Sequence, residues 1–263
     1  MNRIDGTFKS LRHRNRTAFI PFISIGDPDL ETSFEIAKTL IDNGADLIEL
    51  GYPFSDPMAD GKVIQRSYER AIKNRISIND AFDFIKRLKE YRDIPVIFFT
   101  YYNPVFVMGH GFSLGAAKAG IDGVLVVDLP PEESGELTKH TLKQNIYQIF
   151  LLAPTSGRKR MEYVLSFARG FVYYVSVTGV TGIRKAVSET VSEKVGAIKK
   201  ISGIPVGVGF GISGKEQASE VKKYADAVII GSKIIQFIEN NIRDKSLMLR
   251  DISGFARSIS SVL

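Results

Sequence analysis

Asn43-Gly44-Ala45-Asp46-Leu47-Ile48-Glu49-Leu50 compresses a helix end, a turn and a strand into eight residues. Upstream, Ile36, Leu40 and Ile41 recur at helical spacing and form one apolar stripe. Gly44 suits the left-handed position just past a helix C-terminus. The residues that follow, 46–50, are apolar enough to be a buried strand. The same arrangement returns as Ala119-Gly120-Ile121-Asp122 and, without the glycine, as Lys223-Tyr224-Ala225-Asp226. In each case a helix hands over directly to a strand.

Working outward, short β-branched apolar runs occupy residues 18–25, 46–50, 95–101, 123–127, 148–152, 171–176, 205–209 and 227–230. Their near-continuous apolarity, without strict alternation, predicts strands covered on both faces in a parallel sheet. Between them lie further helical stripes: Phe82, Ile85 and Leu88, then Val187, Val191, Val195 and Ile198. Leu249, Ile252, Phe255, Ile259 and Val262 form a closing amphipathic helix. Pro131, followed by Glu132 and Glu133, predicts another helix start. No linker or composition break divides the chain. The expected fold is α/β, one (β/α)8 TIM barrel over residues 1–263 with extra N-terminal and inserted helices. A doubly wound open sheet is the rival, but 26–29 reads Gly-Asp-Pro-Asp and lacks a dinucleotide fingerprint.

With 263 residues, 44% of them apolar and 24% charged, the chain can bury a core without staples. The absence of cysteine excludes disulfides, zinc ribbons and thiol nucleophiles. His13, His110 and His140 are scattered in sequence and supply a metal site or triad poorly, so no metal is expected. The formal charge of +6 owes part of its excess to Lys9, Arg12, Arg14 and Arg16, which read as a solvated helix face with no nucleic-acid motif behind them. Little room for a cleavable leader precedes Thr17. The longest uncharged run, 94–117, holds two prolines, Asn103 and His110 and is no membrane span. A cytoplasmic protein is expected.

Barrel chemistry sits at the C-terminal ends of strands. If Ile48 and Leu50 face the helices, Glu49 points into the barrel mouth, where desolvation raises its pKa into a useful range. A lone strand-end glutamate is more often a structural ion-pair member. Here a long loop with Asp56 and Asp60 follows, and proton transfer ranks above turn capping by Asp56 and above metal binding. The glycine-rich run 207–214 and the pair Gly231-Ser232 fall after the seventh and eighth strands, where barrels hold phosphate.

The run LIELGYPFSDPMADG resembles the signature of the tryptophan synthase alpha chain family, and AFIPFISIGDPD, TYYNP, DLPPEES, TGVTG, GFGI and GS extend the likeness along the chain. The resemblance implies a lyase that cleaves indole-3-glycerol phosphate to indole and glyceraldehyde 3-phosphate. It implies Glu49 as the acid–base and Asp60 as the carboxylate at the indole nitrogen. Phe22, Phe99, Tyr101, Tyr173 and Thr181 are implied around the indole, and Gly182, Gly211, Gly231 and Ser232 around the phosphate. It implies no cofactor in this chain. The implied partner is a beta chain carrying pyridoxal phosphate, in an alpha-beta-beta-alpha hetero-tetramer. The chain departs from the family pattern at Val177, where arginine is common, and at Lys233, where a small residue is usual. Alternatives are a stand-alone lyase with the same site or another phosphate-binding barrel isomerase.

Overall fold

The computed structural model describes residues 1–175, 184–209 and 211–263, with the backbone alone at 184–188. Helix α1 (Arg3–His13) precedes β1 (Ala18–Ser24), α2 (Leu30–Asp42) and β2 (Ile48–Gly51). Two helices, α3 (Lys62–Lys73) and α4 (Ile78–Tyr91), lead to β3 (Val96–Thr100), and two more, α5 (Tyr102–Met108) and α6 (His110–Ala119), to β4 (Gly123–Val126). Next come α7 (Gly135–Lys143), β5 (Tyr147–Gln148), β6 (Phe150–Leu152), α8 (Arg158–Phe167), β7 (Val172–Val175), α9 (Arg184–Ser202) and β8 (Val206–Gly209). The chain ends with α10 (Lys215–Lys222), β9 (Ala227–Ile230), α11 (Ser232–Asn240) and α12 (Lys245–Ser260).

All pairings are parallel, in the order β5-β4-β3-β2-β1-β9-β8-β7-β6. The expected run 148–152 is cut into β5 and β6 at Ile149, yet it remains one stave. Its first half pairs with β4, its second with β7, and the Ile149 amide donates to Val124 at 2.8 Å. Eight staves therefore close the TIM barrel anticipated above.

Alternation sorts the side chains into two cores. Ile48, Leu50, Phe98 and Val124 face the helices, while Ile20, Leu47, Ile97, Leu125, Phe171 and Ile229 fill the barrel interior. Helix α1 plugs the N-terminal end with Ile4, Phe8 and Leu11 and leaves Lys9, Arg12 and Arg14 in solvent. The stripes on α2 and α4 are buried as their spacing requires, and on α12 Ile252, Phe255 and Ile259 are buried while Leu249, and Val262 just past the helix end, are half-buried.

Two local expectations are corrected. The helix expected at Pro131 starts at Gly135, because the chain before it winds as tight i→i+3 turns, with the Glu133 amide on the Pro130 carbonyl at 3.0 Å and the Ser134 amide on the Pro131 carbonyl at 3.4 Å. Strand β2 starts at Ile48 rather than Asp46, because the Asp46 and Leu47 amides both converge on the Phe19 carbonyl.

The three repeated aspartates share one task. Asp46 donates its amide to the Phe19 carbonyl and accepts the Phe19 amide on its carboxylate, both at 2.9 Å. Asp122 does the same with Val96, both at 3.0 Å, and Asp226 with Val206 at 2.8 and 2.9 Å. Each aspartate thus ties the start of its own strand to the start of a neighbour. Gly44 and Gly120 hold φ of +106° and +84°, as the turn before such an aspartate requires. The third copy turns through Lys223 in ordinary helical geometry instead.

Candidate active site

Inward-facing residues at the C-terminal ends of the strands enclose a cavity of about 380 Å³. Phe22 of β1, Glu49 of β2, Phe99 of β3, Leu151 of β6, Tyr173 of β7 and Ile229 of β9 all reach its wall. The register places Glu49 beside Phe22 on one side and Ile97 on the other. Phe22 and Phe99 meet edge to face at 5.2 Å. A flat aromatic ligand finds apolar walls here.

Glu49 is 1% exposed, and its Oε1 has no hydrogen-bond partner. Burial alone pushes its pKa up to about 8, so the side chain is mostly protonated near neutrality. That is the state of a general acid in an apolar pocket.

Asp60 lies across the same cavity on the loop after β2. Burial pushes its pKa to about 6, against a hydrogen bond from the Tyr101 hydroxyl that lowers it. The loop is fixed by local chemistry. Tyr101 Oη accepts the Ala59 amide at 3.0 Å, the Gln65 side-chain amide donates to the Asp60 carbonyl at 2.9 Å, and the Phe54 ring stacks on Tyr101 at 4.8 Å. Asp56 is exposed, takes the Ser55 hydroxyl at 2.6 Å and stays off the cavity wall.

The other end of the cavity is lined by Gly211, Ser213, Gly231, Ser232 and Lys233. Gly211 holds φ +74°. Helix α11 starts at Ser232 with no side-chain cap and no acidic residue in its first turn. Its first amides and dipole therefore remain available to an anion. Lys233 adds a cation on the same wall, with its Nζ 4.8 Å from the Phe237 ring centre.

Of the residues singled out from sequence, Phe22, Glu49, Asp60, Phe99, Tyr173, Gly211, Gly231 and Ser232 share this one cavity. Tyr101 does not line it. Its hydroxyl donates to Asp60 and accepts the Ala59 amide, so it holds the acid and its loop. Thr181, Gly182 and Val177 lie outside the described residues. Sequence reading passed over Tyr68, which is fully buried on α3 with an unpartnered hydroxyl. A Cβ on Gly51 would stand 2.8 Å from that hydroxyl, and the phenol pKa is raised by burial and by the negative charges of Asp60 and Glu49. Its spacing with Ile64 and Ala71 is that of any core stripe and carries no functional signal.

A closed (β/α)8 barrel whose perturbed carboxyl groups meet an anion-ready helix start at one mouth belongs to the barrel enzymes. Comparison with known proteins narrows the class. The family model of the tryptophan synthase alpha chain matches residues 8–262. The chain is 47% identical to the tryptophan synthase alpha chain of Nitrosomonas europaea over 92% of its own length and 88% of the relative's. It is also 47% identical to that of Geobacter sulfurreducens over 91% of both. The crystal structure of tryptophan synthase subunit alpha from Legionella pneumophila superposes with a TM-score of 0.91 at 34% identity, covering 100% of this chain and 98% of that one. This chain belongs to the tryptophan synthase alpha chain family.

Proposed function

We propose that this chain cleaves indole-3-glycerol phosphate to indole and glyceraldehyde 3-phosphate, with Glu49 as acid–base and Asp60 as the counter-charge at the indole nitrogen. The observation that carries the reading is Glu49: buried, uncompensated by any cation, and facing the cavity that Asp60 and the start of α11 also line.

Glu49 gives its proton to indole C3, which loses aromaticity and leaves positive charge on the ring nitrogen. Asp60, ionised above about pH 6, accepts the N–H and stabilises that charge. The glycerol hydroxyl next to the ring then gives its proton back to the Glu49 carboxylate. The O–H electron pair left on oxygen forms the C=O bond of the aldehyde, the C–C bond breaks, and its electron pair restores the aromatic ring. The Glu49 proton is regenerated, and no redox partner or metal enters. The phosphate rests on the amides at the start of α11, at Gly231 and Ser232, beside Gly211 and Lys233; the family likeness adds Gly182 to the phosphate and Thr181 to the indole. Phe22, Phe99 and Tyr173 hold the indole.

The reading needs no cofactor in this chain. Indole passes to a beta chain that carries pyridoxal phosphate, in an alpha-beta-beta-alpha assembly. Met58, Phe106 and Val107, exposed by 87%, 67% and 76% on the β2 loop and α5, support a docking face near the mouth. Among the described residues no helix is long and apolar enough to cross a membrane, which is compatible with a cytoplasmic site of action.

The test is indole formation from indole-3-glycerol phosphate, with and without a beta chain. Glu49→Gln is expected to lower turnover about 100- to 10,000-fold, the range of a positioned proton donor. Turnover matching wild type in that variant refutes the assignment.

A further inference from the structure

His110 opens α6, and His140 lies in the last turn of α7, one turn beyond Glu136 on the same helix. Thirty residues separate the two histidines in sequence, yet the fold brings their rings to 4.2 Å between centres at 52°. A nitrogen from each ring and an oxygen of Glu136 all lie within 4.8 Å of one another. Among the described residues, no hydrogen bond or ion pair engages any of these three side chains. Two of the chain's three histidines are thus gathered with a carboxylate at one point of the helical ring.

We propose that His110, Glu136 and His140 form a transition-metal site that binds Zn²⁺ and ties α6 to α7. Two imidazoles and one carboxylate are a borderline donor set that suits Zn²⁺. Mg²⁺ and Ca²⁺ prefer all-oxygen shells and are disfavoured here. The i, i+4 spacing of Glu136 and His140 puts both donors on one face of α7, and His110 closes the triangle from α6. Bonds of about 2.0–2.1 Å hold tetrahedral donors about 3.3 Å apart, so the trio has to draw in by roughly 1.5 Å at most. His110 and Glu136 are exposed and His140 is half-buried, so rotamer changes accomplish this without moving the helices. Water takes the fourth position. None of the three residues lines the mouth cavity, so the ion acts on the scaffold and not on the reaction.

The test is a competition titration of the metal-free, full-length protein with Zn²⁺ against a chromophoric chelator, paired with thermal unfolding. One equivalent is expected to bind. His110→Ala and His140→Ala each weaken binding about tenfold or more, while His13→Ala leaves it unchanged. Zn²⁺ at about 100 times its Kd raises the unfolding midpoint of the wild type by about 5 °C and leaves that of His140→Ala in place. Failure of the wild type to take up Zn²⁺, or uptake by His110→Ala and His140→Ala as tight as that of the wild type, overturns the proposal.

Discussion

The Tyr101 hydroxyl donates a 2.7 Å hydrogen bond to Asp60 Oδ2, joining the residue just after β3 to the acid on the loop after β2. Burial raises the Asp60 pKa and this bond opposes the rise, so Tyr101 sets where the acid titrates. Tyr101→Phe removes the donor and leaves the ring in its stack with Phe54. The acidic limb of kcat/KM is expected to move up by about one pH unit, because a hydrogen bond to a charged group is worth about 1.5 kcal/mol or more. A pH–rate profile whose acidic limb stays in place would separate Tyr101 from the titration of Asp60.

The two acids work in opposite protonation states, which fixes the shape of that profile. Asp60 must be ionised, above about pH 6, and Glu49 protonated, below about pH 8. Activity is expected to be bell-shaped between these limits. A flat rate from pH 5 to 9 would contradict the roles assigned to both residues.

Glu49 also imposes a stability cost with a definite sign. Its pKa rises from an ordinary 4.5 unfolded to about 8 folded, so the native state favours the protonated form. Stability from this site is complete below about pH 4.5 and declines as pH rises toward 8. Glu49→Gln is therefore expected to unfold later than wild type at pH 8, by a few kcal/mol on the order of magnitude. Denaturant titrations at pH 5 and pH 8 read this directly. The gain should shrink at the lower pH.

How much of this was legible in sequence depends on whether a residue's neighbours are close along the chain. The helix-to-strand turns announced the barrel because Gly44 and Gly120 sit where local backbone geometry demands them. Glu49 was legible through alternation, since Ile48 and Leu50 had to face the helices. The reciprocal bonds of Asp46, Asp122 and Asp226 were hidden, because each partner lies on another strand. The bond from Tyr101 to Asp60 was hidden as well, because aromatic character says nothing of where a hydroxyl points. Tyr68 was invisible for the opposite reason: its spacing fits a core stripe perfectly well. The meeting of His110 and His140 depends on how α6 packs on α7, which no local pattern encodes.

Those aspartates yield a stability prediction. Asp122 is buried, accepts the Val96 amide, and is met by Arg3 at 2.9 Å and Lys89 at 3.4 Å. Asp122→Ala leaves the Val96 amide without its carboxylate acceptor, while Lys89 keeps the Ile94 carbonyl and Asp93, both at 2.7 Å. A loss of about 2–3 kcal/mol is expected in denaturant titration. Asp122→Asn, which keeps an acceptor oxygen, should lose less. Equal losses in the two variants would show that charge, not the strand-start bond, is what Asp122 contributes.

The last prediction concerns the shape of the mouth. Gly209, at the end of β8, faces Tyr173 so closely that a Cβ there would stand 2.1 Å from the phenol oxygen. Tyr173 is buried and its phenol feels the charges of Glu49 and Asp60, so its position is coupled to both acids. Gly209→Ala has to push the Tyr173 ring into the cavity or shift β8, and overpacking of this kind costs about 1–3 kcal/mol. Substrate is expected to feel the displaced ring first, so KM should rise more than kcat falls. The ring carbons Cζ and Cε1 would also stand 2.6 and 2.8 Å from that Cβ, so the obstacle is cleared by Gly209→Ala/Tyr173→Leu, which removes the ring and should recover part of the affinity. If the double variant binds no better than Gly209→Ala alone, the contact between these two residues is not what shapes the pocket.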